Sequence, residues 1–137
     1  MEVKSSNSQD PGISLNLSME VYKTFSIESA RSLPRLPNEH PCNKVHGHSF
    51  KITLTVEGEI DQSTGFVMDF YDIDKVVNKT IISKIDHKVL NDIAELKNPT
   101  SENLCKWIWK KLKKNLPMLT KIKLSEDHGT GIVFTGE

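Results

Sequence analysis

Two histidines one residue apart, His46 and His48, are the sharpest chemical signal in this 137-residue chain. At the opening of a β-strand, residues two apart project from one face, so both imidazoles can reach a single ion. Catalytic zinc takes three protein ligands and keeps a fourth position open, so a third ligand would have to come from another strand. A lone His-x-His is also what an ordinary polar strand end looks like. Cys42 lies four residues upstream, after Pro41. Near a metal or an imidazolium a thiol loses its proton more readily and can serve as base or nucleophile. The plain alternative is a small buried apolar residue, and that is the better reading for Cys105, beside Trp107 and Ile108. Asp86-His87 closes a helix, where the dipole favours a protonated imidazole and a carboxylate would poise it as a general acid. From the dipeptide alone a capping pair is the simpler account. Glu126 precedes Asp127 and a glycine-rich turn, where an isolated glutamate is usually just solvated. His40 and His128 fall in loops that give them no specific task. Trp107 and Trp109 read as packing residues, Trp109 partly exposed or at a subunit contact.

These residues must be positioned by elements that the hydropathy pattern outlines. Residues 1–18, rich in Ser and Asn with a Pro-Gly pair, show no periodicity and read as a flexible extension. The ordered domain then spans 19–137. Residues 19–30 mix aromatic and β-branched types and predict a strand; residues 31–41 carry three prolines and predict an irregular loop. Phe50, Ile52, Leu54 and Val56 alternate with polar residues, the period of a strand with one buried face. Spacings of three and four from Phe70 to Ile85 predict an amphipathic helix over 69–85, with Asp69 as N-cap. A second helix starts after Thr100, a natural N-cap, and runs to about Asn115, closed by Pro117. Short strands follow at 121–125 and 132–135. The order β-β-α-α-β-β is that of an α+β fold, an antiparallel sheet with two helices on one face.

Composition narrows the partners. Eighteen basic and eighteen acidic residues cancel, which removes the electrostatic reason to expect nucleic acid or an anionic membrane. No apolar run approaches a membrane span and no secretory segment opens the chain. Two cysteines make no disulfide framework, so a reduced, cytoplasmic protein is expected.

The ordered set Cys42-x3-His46-x-His48, Asp86-His87, Pro99-Thr100-Ser101-Glu102-Asn103 and Glu126 resembles the 6-pyruvoyl-tetrahydropterin synthase family, over most of the chain from Tyr22 onward. Leu33-Pro34, His46-Gly47-His48-Ser49-Phe50, Leu90-Asn91-Asp92-Ile93 and Trp107-Ile108-Trp109 look most like the bacterial 6-carboxy-tetrahydropterin synthases of queuosine biosynthesis. The resemblance implies the tunnelling fold, and homo-oligomers, commonly hexamers, with active sites between subunits. It implies a lyase acting on dihydroneopterin triphosphate, releasing acetaldehyde and triphosphate, or in the biopterin branch triphosphate alone. It also implies roles: zinc on His46 and His48 acidifying a substrate C–H, Cys42 as the base, Asp86 and His87 as a proton relay. Glu126 would anchor the pterin through paired hydrogen bonds, helped by Thr100 and Ser101.

The chain departs from that pattern at one position. Where the family carries its first zinc histidine, this segment reads Ala30-Arg31-Ser32-Leu33-Pro34. A guanidinium has no lone pair for a metal. Three readings follow: His40 replaces the missing ligand, Arg31 itself supplies the positive charge, or the pocket binds a pterin without turning it over.

Overall fold

The computed structural model describes residues 17–136. The expected N-terminal extension, residues 1–18, lies outside the described residues apart from Leu17 and Ser18, and Ser18 already opens the first strand.

Strands β1 (Ser18–Arg31) and β2 (His46–Glu59) form a long antiparallel ribbon, in register from Ser18 opposite Glu59 to Arg31 opposite His46. Phe25, Ile27, Ser29 and Arg31 are buried while the residues between them face outward. Directly opposed residues share a face of the sheet, so Arg31 lies on the same side as His46, His48 and the buried row Phe50, Ile52, Leu54 and Val56. β3 (Leu119–Ser125) pairs with β2, and β4 (Gly131–Phe134) with β3, giving the sheet order β1-β2-β3-β4. A register shift between Thr55 and Val56 lets both turn inward, the expected effect of a bulge on strict alternation.

The helix expected over 69–85 is interrupted. α1 (Phe70–Val77) is capped by the Asp69 carboxylate, which accepts the Tyr71 N–H at 2.9 Å. A π-helical turn over Asn78–Ile82 follows, then the short α2 (Ser83–Ile85). The sequence supplies the reason. Ile73, Val77, Ile81 and Ile85 are spaced strictly by four and all are at most 1% exposed. Such spacing runs ahead of a 3.6-residue turn by roughly 40° per step. The wider π turn takes back part of that lead and keeps the last two isoleucines over the sheet. α3 (Ser101–Lys113) begins at Thr100, whose hydroxyl accepts the Asn103 N–H at 3.1 Å, and buries Leu104, Cys105, Ile108 and Leu112. Its basic last turn, with Lys110, Lys111 and Lys113, complements the helix dipole.

The observed order and antiparallel sheet match the α+β expectation, with boundaries shifted. Arg31 ends β1 instead of starting a loop, and β2 begins at His46, four residues before its apolar alternation. Trp107 is buried, and Trp109 packs edge-on against Phe134 with ring centroids 5.5 Å apart. Among the described residues no helix is long and apolar enough to cross a membrane.

Candidate functional site

Arg31 organises the end of the sheet. It is 4% exposed, deep enough that an unpaired guanidinium would be very costly. Its Nη1 donates to the Pro99 carbonyl at 3.2 Å and to Ser101 Oγ at 3.3 Å. Its Nη2 lies 3.2 Å from Glu126 Oε2 and 3.4 Å from His48 Nε2. The guanidinium also sits over the Phe50 ring, 5.4 Å from its centroid. Strand β2, the start of α3 and the end of β3 therefore converge on the last residue of β1. Asn91 fixes that chain end by accepting the Ser32 N–H and donating to the Ser32 carbonyl, both at 2.9 Å.

The two histidines are oriented from behind. His46 Nδ1 is 2.7 Å from the Lys44 carbonyl, which can only accept, so Nδ1 carries the proton. His48 Nδ1 lies 3.1 Å from Asp127 Oδ1 and donates to that carboxylate. Both rings thus turn Nδ1 to an acceptor and Nε2 away from it, the orientation a metal ligand needs. His48 Nε2 meets Arg31. Among the described residues His46 Nε2 is buried without a partner, and so is Arg31 Nε.

This donor set does not fit the zinc expected from the resemblance. Two imidazole nitrogens stand where three protein ligands are required, and the third place holds a cation without a lone pair. Among the described residues no three His, Cys, Asp or Glu side chains gather in a way that could hold an ion. His40 is engaged elsewhere: its Nδ1 accepts the Cys42 N–H at 3.1 Å and caps the turn Pro41–Asn43.

Glu126 lies on the buried face of the sheet just past β3. Its Oε2 accepts from the Ser101 hydroxyl and from Arg31, while Oε1 is 3.9 Å from His48 Nδ1 and otherwise open. Burial works to raise the Glu126 pKa, but the Ser101 hydroxyl and the Arg31 guanidinium outweigh it and hold the group below the ordinary carboxylate range. His48 and the Ser49 N–H lower Asp127 likewise. Thr100 and Ser101 spend their hydroxyls within the chain, one on the helix cap and one on Glu126.

Asp86 and His87 form a second centre. Leaving α2, Asp86 accepts the Glu28 N–H at 2.9 Å and lies 3.1 Å from His87 Nδ1. His87 has φ 59 and a side chain 78% exposed. The left-handed backbone, uncommon outside glycine, is held where the His87 N–H reaches the Glu28 carbonyl at 2.7 Å. An open cleft of about 520 Å³ brings His87 together with His48, Gly47, Ser49 and Asp127. Cys42, half-buried and free, does not line it. Glu126 lines a smaller hollow of about 320 Å³ with Gly129 and Thr130. The expected residues are therefore divided within one chain among the Arg31 cluster, the His87 cleft and the Cys42 turn. Asp127, Asn91 and the Pro99 carbonyl escaped the sequence reading. Only Asp127 had a signal, a second carboxylate beside Glu126 at a strand end.

The site and fold define a class. The family model for 6-pyruvoyl tetrahydropterin synthase matches residues 20–137, and the chain belongs to that family. The 6-carboxy-5,6,7,8-tetrahydropterin synthase of Synechocystis sp. is 35% identical over 111 residues, covering 77% of this chain and 84% of that protein. The 6-pyruvoyl tetrahydrobiopterin synthase of Homo sapiens is 39% identical over 103 residues, 70% and 71% of the two chains. The structure of Caenorhabditis elegans 6-pyruvoyl tetrahydropterin synthase superposes with a TM-score of 0.81 at 24% identity, over 89% of this chain and 98% of that one. The fold is thus the family's tunnelling fold. The matched relatives carry three different activity names, one of them a dihydroneopterin monophosphate aldolase, so membership alone leaves the reaction open.

Proposed function

We propose that this chain is a cytoplasmic lyase that converts 7,8-dihydroneopterin triphosphate and water to 6-carboxy-5,6,7,8-tetrahydropterin, acetaldehyde and triphosphate, on the route to queuosine. The observation that carries the reading is Glu126, ionised by Ser101 and Arg31 yet with Oε1 open. A pterin ring presents an N–H and an amino group side by side, and a fixed carboxylate accepts from both. In this reading Cys42 removes a proton from the substrate side chain, and Asp86–His87 exchanges protons at its other face. Thr100 and Ser101 border the ring. The separation of Cys42, His87 and Glu126 within one chain supports a homo-oligomer, a hexamer in this proposal, whose sites are completed between subunits.

A second reading, a pterin-binding relative without turnover, is favoured by one observation: Arg31 stands where the resemblance calls for a zinc ligand. The product of the biopterin branch, 6-pyruvoyl-tetrahydropterin, differs in mass. Binding and turnover in two variants separate these. Cys42→Ala is expected to bind 7,8-dihydroneopterin as the parent does and to make no product, whereas Glu126→Ala loses binding. Undiminished turnover in Cys42→Ala would remove the proposed base. A parent protein that binds but yields neither product would establish the second reading.

A further inference from the structure

Residues 86–91 lie along the end of β1 as a short parallel companion. The His87 N–H donates to the Glu28 carbonyl at 2.7 Å, the Ala30 N–H to the Lys88 carbonyl at 2.9 Å, and Ala30 and Val89 form a parallel bridge. At Ser32, where the next rung falls, the Asn91 side chain replaces the backbone: Oδ1 accepts the Ser32 N–H and Nδ2 donates to the Ser32 carbonyl, both at 2.9 Å. The second hydrogen of Nδ2 goes to the Lys97 carbonyl at 3.4 Å, and Lys97 Nζ returns a bond of 3.1 Å to the Asn91 carbonyl. Ser32 directly follows Arg31, and Lys97 stands two residues before Pro99, whose carbonyl the Arg31 guanidinium holds. One amide thus ties the backbone at both ends of the arc that Arg31 closes. Asparagine suits the place as its isosteres do not: aspartate would set lone pairs against two carbonyls, and leucine would leave those backbone groups unpaired.

We propose that Asn91 is a positioning residue for the pterin anchor. A planar guanidinium bonds in a fixed fork, so Arg31 meets the Pro99 carbonyl, Ser101 and Glu126 together only while the end of β1 and the approach to α3 keep their spacing. Asn91 sets that spacing, Arg31 holds Glu126 Oε2, and the free Oε1 is thereby aimed at the ring. The inference rests on the pterin reading above and adds to it a residue that does not touch the ligand. Asn91 acts on binding through Arg31 alone.

The test titrates the full chain with 7,8-dihydroneopterin as parent, Asn91→Leu, Arg31→Met and the double variant, at a temperature where urea unfolding shows each to be folded. Asn91→Leu is expected to bind about tenfold more weakly, the contribution of one hydrogen bond to a charged group. In the double variant the loss equals that of Arg31→Met alone, because the clamp has nothing left to position. Losses that multiply would overturn the proposal. A second arm needs no ligand. Arg31 and Arg35 are the only arginines, and Arg35 is exposed, so slow exchange with solvent identifies the Nε–H resonance of Arg31. In Asn91→Leu that exchange quickens at least about tenfold, and by more than at the Ile52 and Leu54 amides of the central strand, which open with the whole fold. An equal rise at all of these would leave Asn91 a part in stability only and overturn the proposal. Should Asn91→Leu fail to fold, Asn91→Asp serves in both arms, keeping the bond to the Ser32 N–H and losing both donations. A parent protein that binds no dihydropterin would overturn the pterin reading and the anchor role with it, whereas the exchange arm still decides the clamp.

Discussion

Glu126→Gln leaves the shape of the cluster and removes its only direct countercharge to Arg31 among the described contacts. The Arg31 side chain is 5% exposed and that of Glu126 19%, so the pair lies between two limits. Exposed pairs contribute roughly 0–1 kcal/mol, and removing one partner of a fully buried pair costs roughly 3–5 kcal/mol. Because a glutamine oxygen still accepts from Ser101 or Arg31, about 2 kcal/mol is expected. Arg31→Met should cost less, about 1 kcal/mol, since it removes the charge that was expensive to bury and leaves Glu126 bonded to Ser101. The double variant, no longer burying a cation, should also lose only about 1 kcal/mol, against the roughly 3 kcal/mol of simple addition, a coupling of about 2 kcal/mol. Urea unfolding followed by the fluorescence of buried Trp107, at one protein concentration throughout, reads these differences as shifts in midpoint. Additivity within about 0.5 kcal/mol, or Arg31→Met costing as much as Glu126→Gln, would refute the view that the guanidinium depends on this carboxylate.

Glu126 also shapes the acid limb of stability. With its folded pKa below the ordinary 4.5, it stabilises the fold fully above that value and loses the contribution as pH falls through its folded pKa. Glu126→Gln should flatten the stability profile in that window; an unchanged acid slope would contradict this. Cys105 is buried, which pushes its thiol up to about 11, whereas Cys42 is partly accessible. Iodoacetamide near neutral pH should therefore alkylate one cysteine of the folded chain, and mass mapping that found Cys105 modified first would be inconsistent with the packing. Asp127→Asn keeps a hydrogen-bonding side chain but removes the charge that orients His48. Dihydropterin binding should weaken about tenfold, the lower end of what outer partners of a functional histidine contribute, and unchanged binding would leave Asp127 without a part in the site.

Much of the fold was legible because local signals agreed with tertiary ones. Asp69 and Thr100 cap the helices expected of them, and the Phe50–Val56 alternation marks a buried face. The π turn at Asn78–Ile82 is implicit in the strict spacing by four of Ile73, Val77, Ile81 and Ile85, but helical periodicity alone does not reveal it. Local composition puts Arg31 in a loop because its neighbours include prolines; what keeps it in β1 is pairing with His46, which composition cannot show. The chemistry of His46 and His48 was legible as a pair on one face. Their shared neighbour was not, because Pro99, Ser101 and Glu126 reach Arg31 only through packing of α3 and β3 against β1 and β2. The division of Cys42 from the His87 cleft was equally hidden, since order along the chain says nothing about convergence in space.

Incubation of the purified protein with 7,8-dihydroneopterin triphosphate in excess EDTA, and again with added zinc, tests the account most directly, with products read by mass. The account predicts 6-carboxy-5,6,7,8-tetrahydropterin in both reactions, because a donor set with Arg31 in the place of a third ligand does not depend on zinc. Product formed only when zinc is added would contradict the role given to Arg31, and no product in either reaction would contradict the lyase.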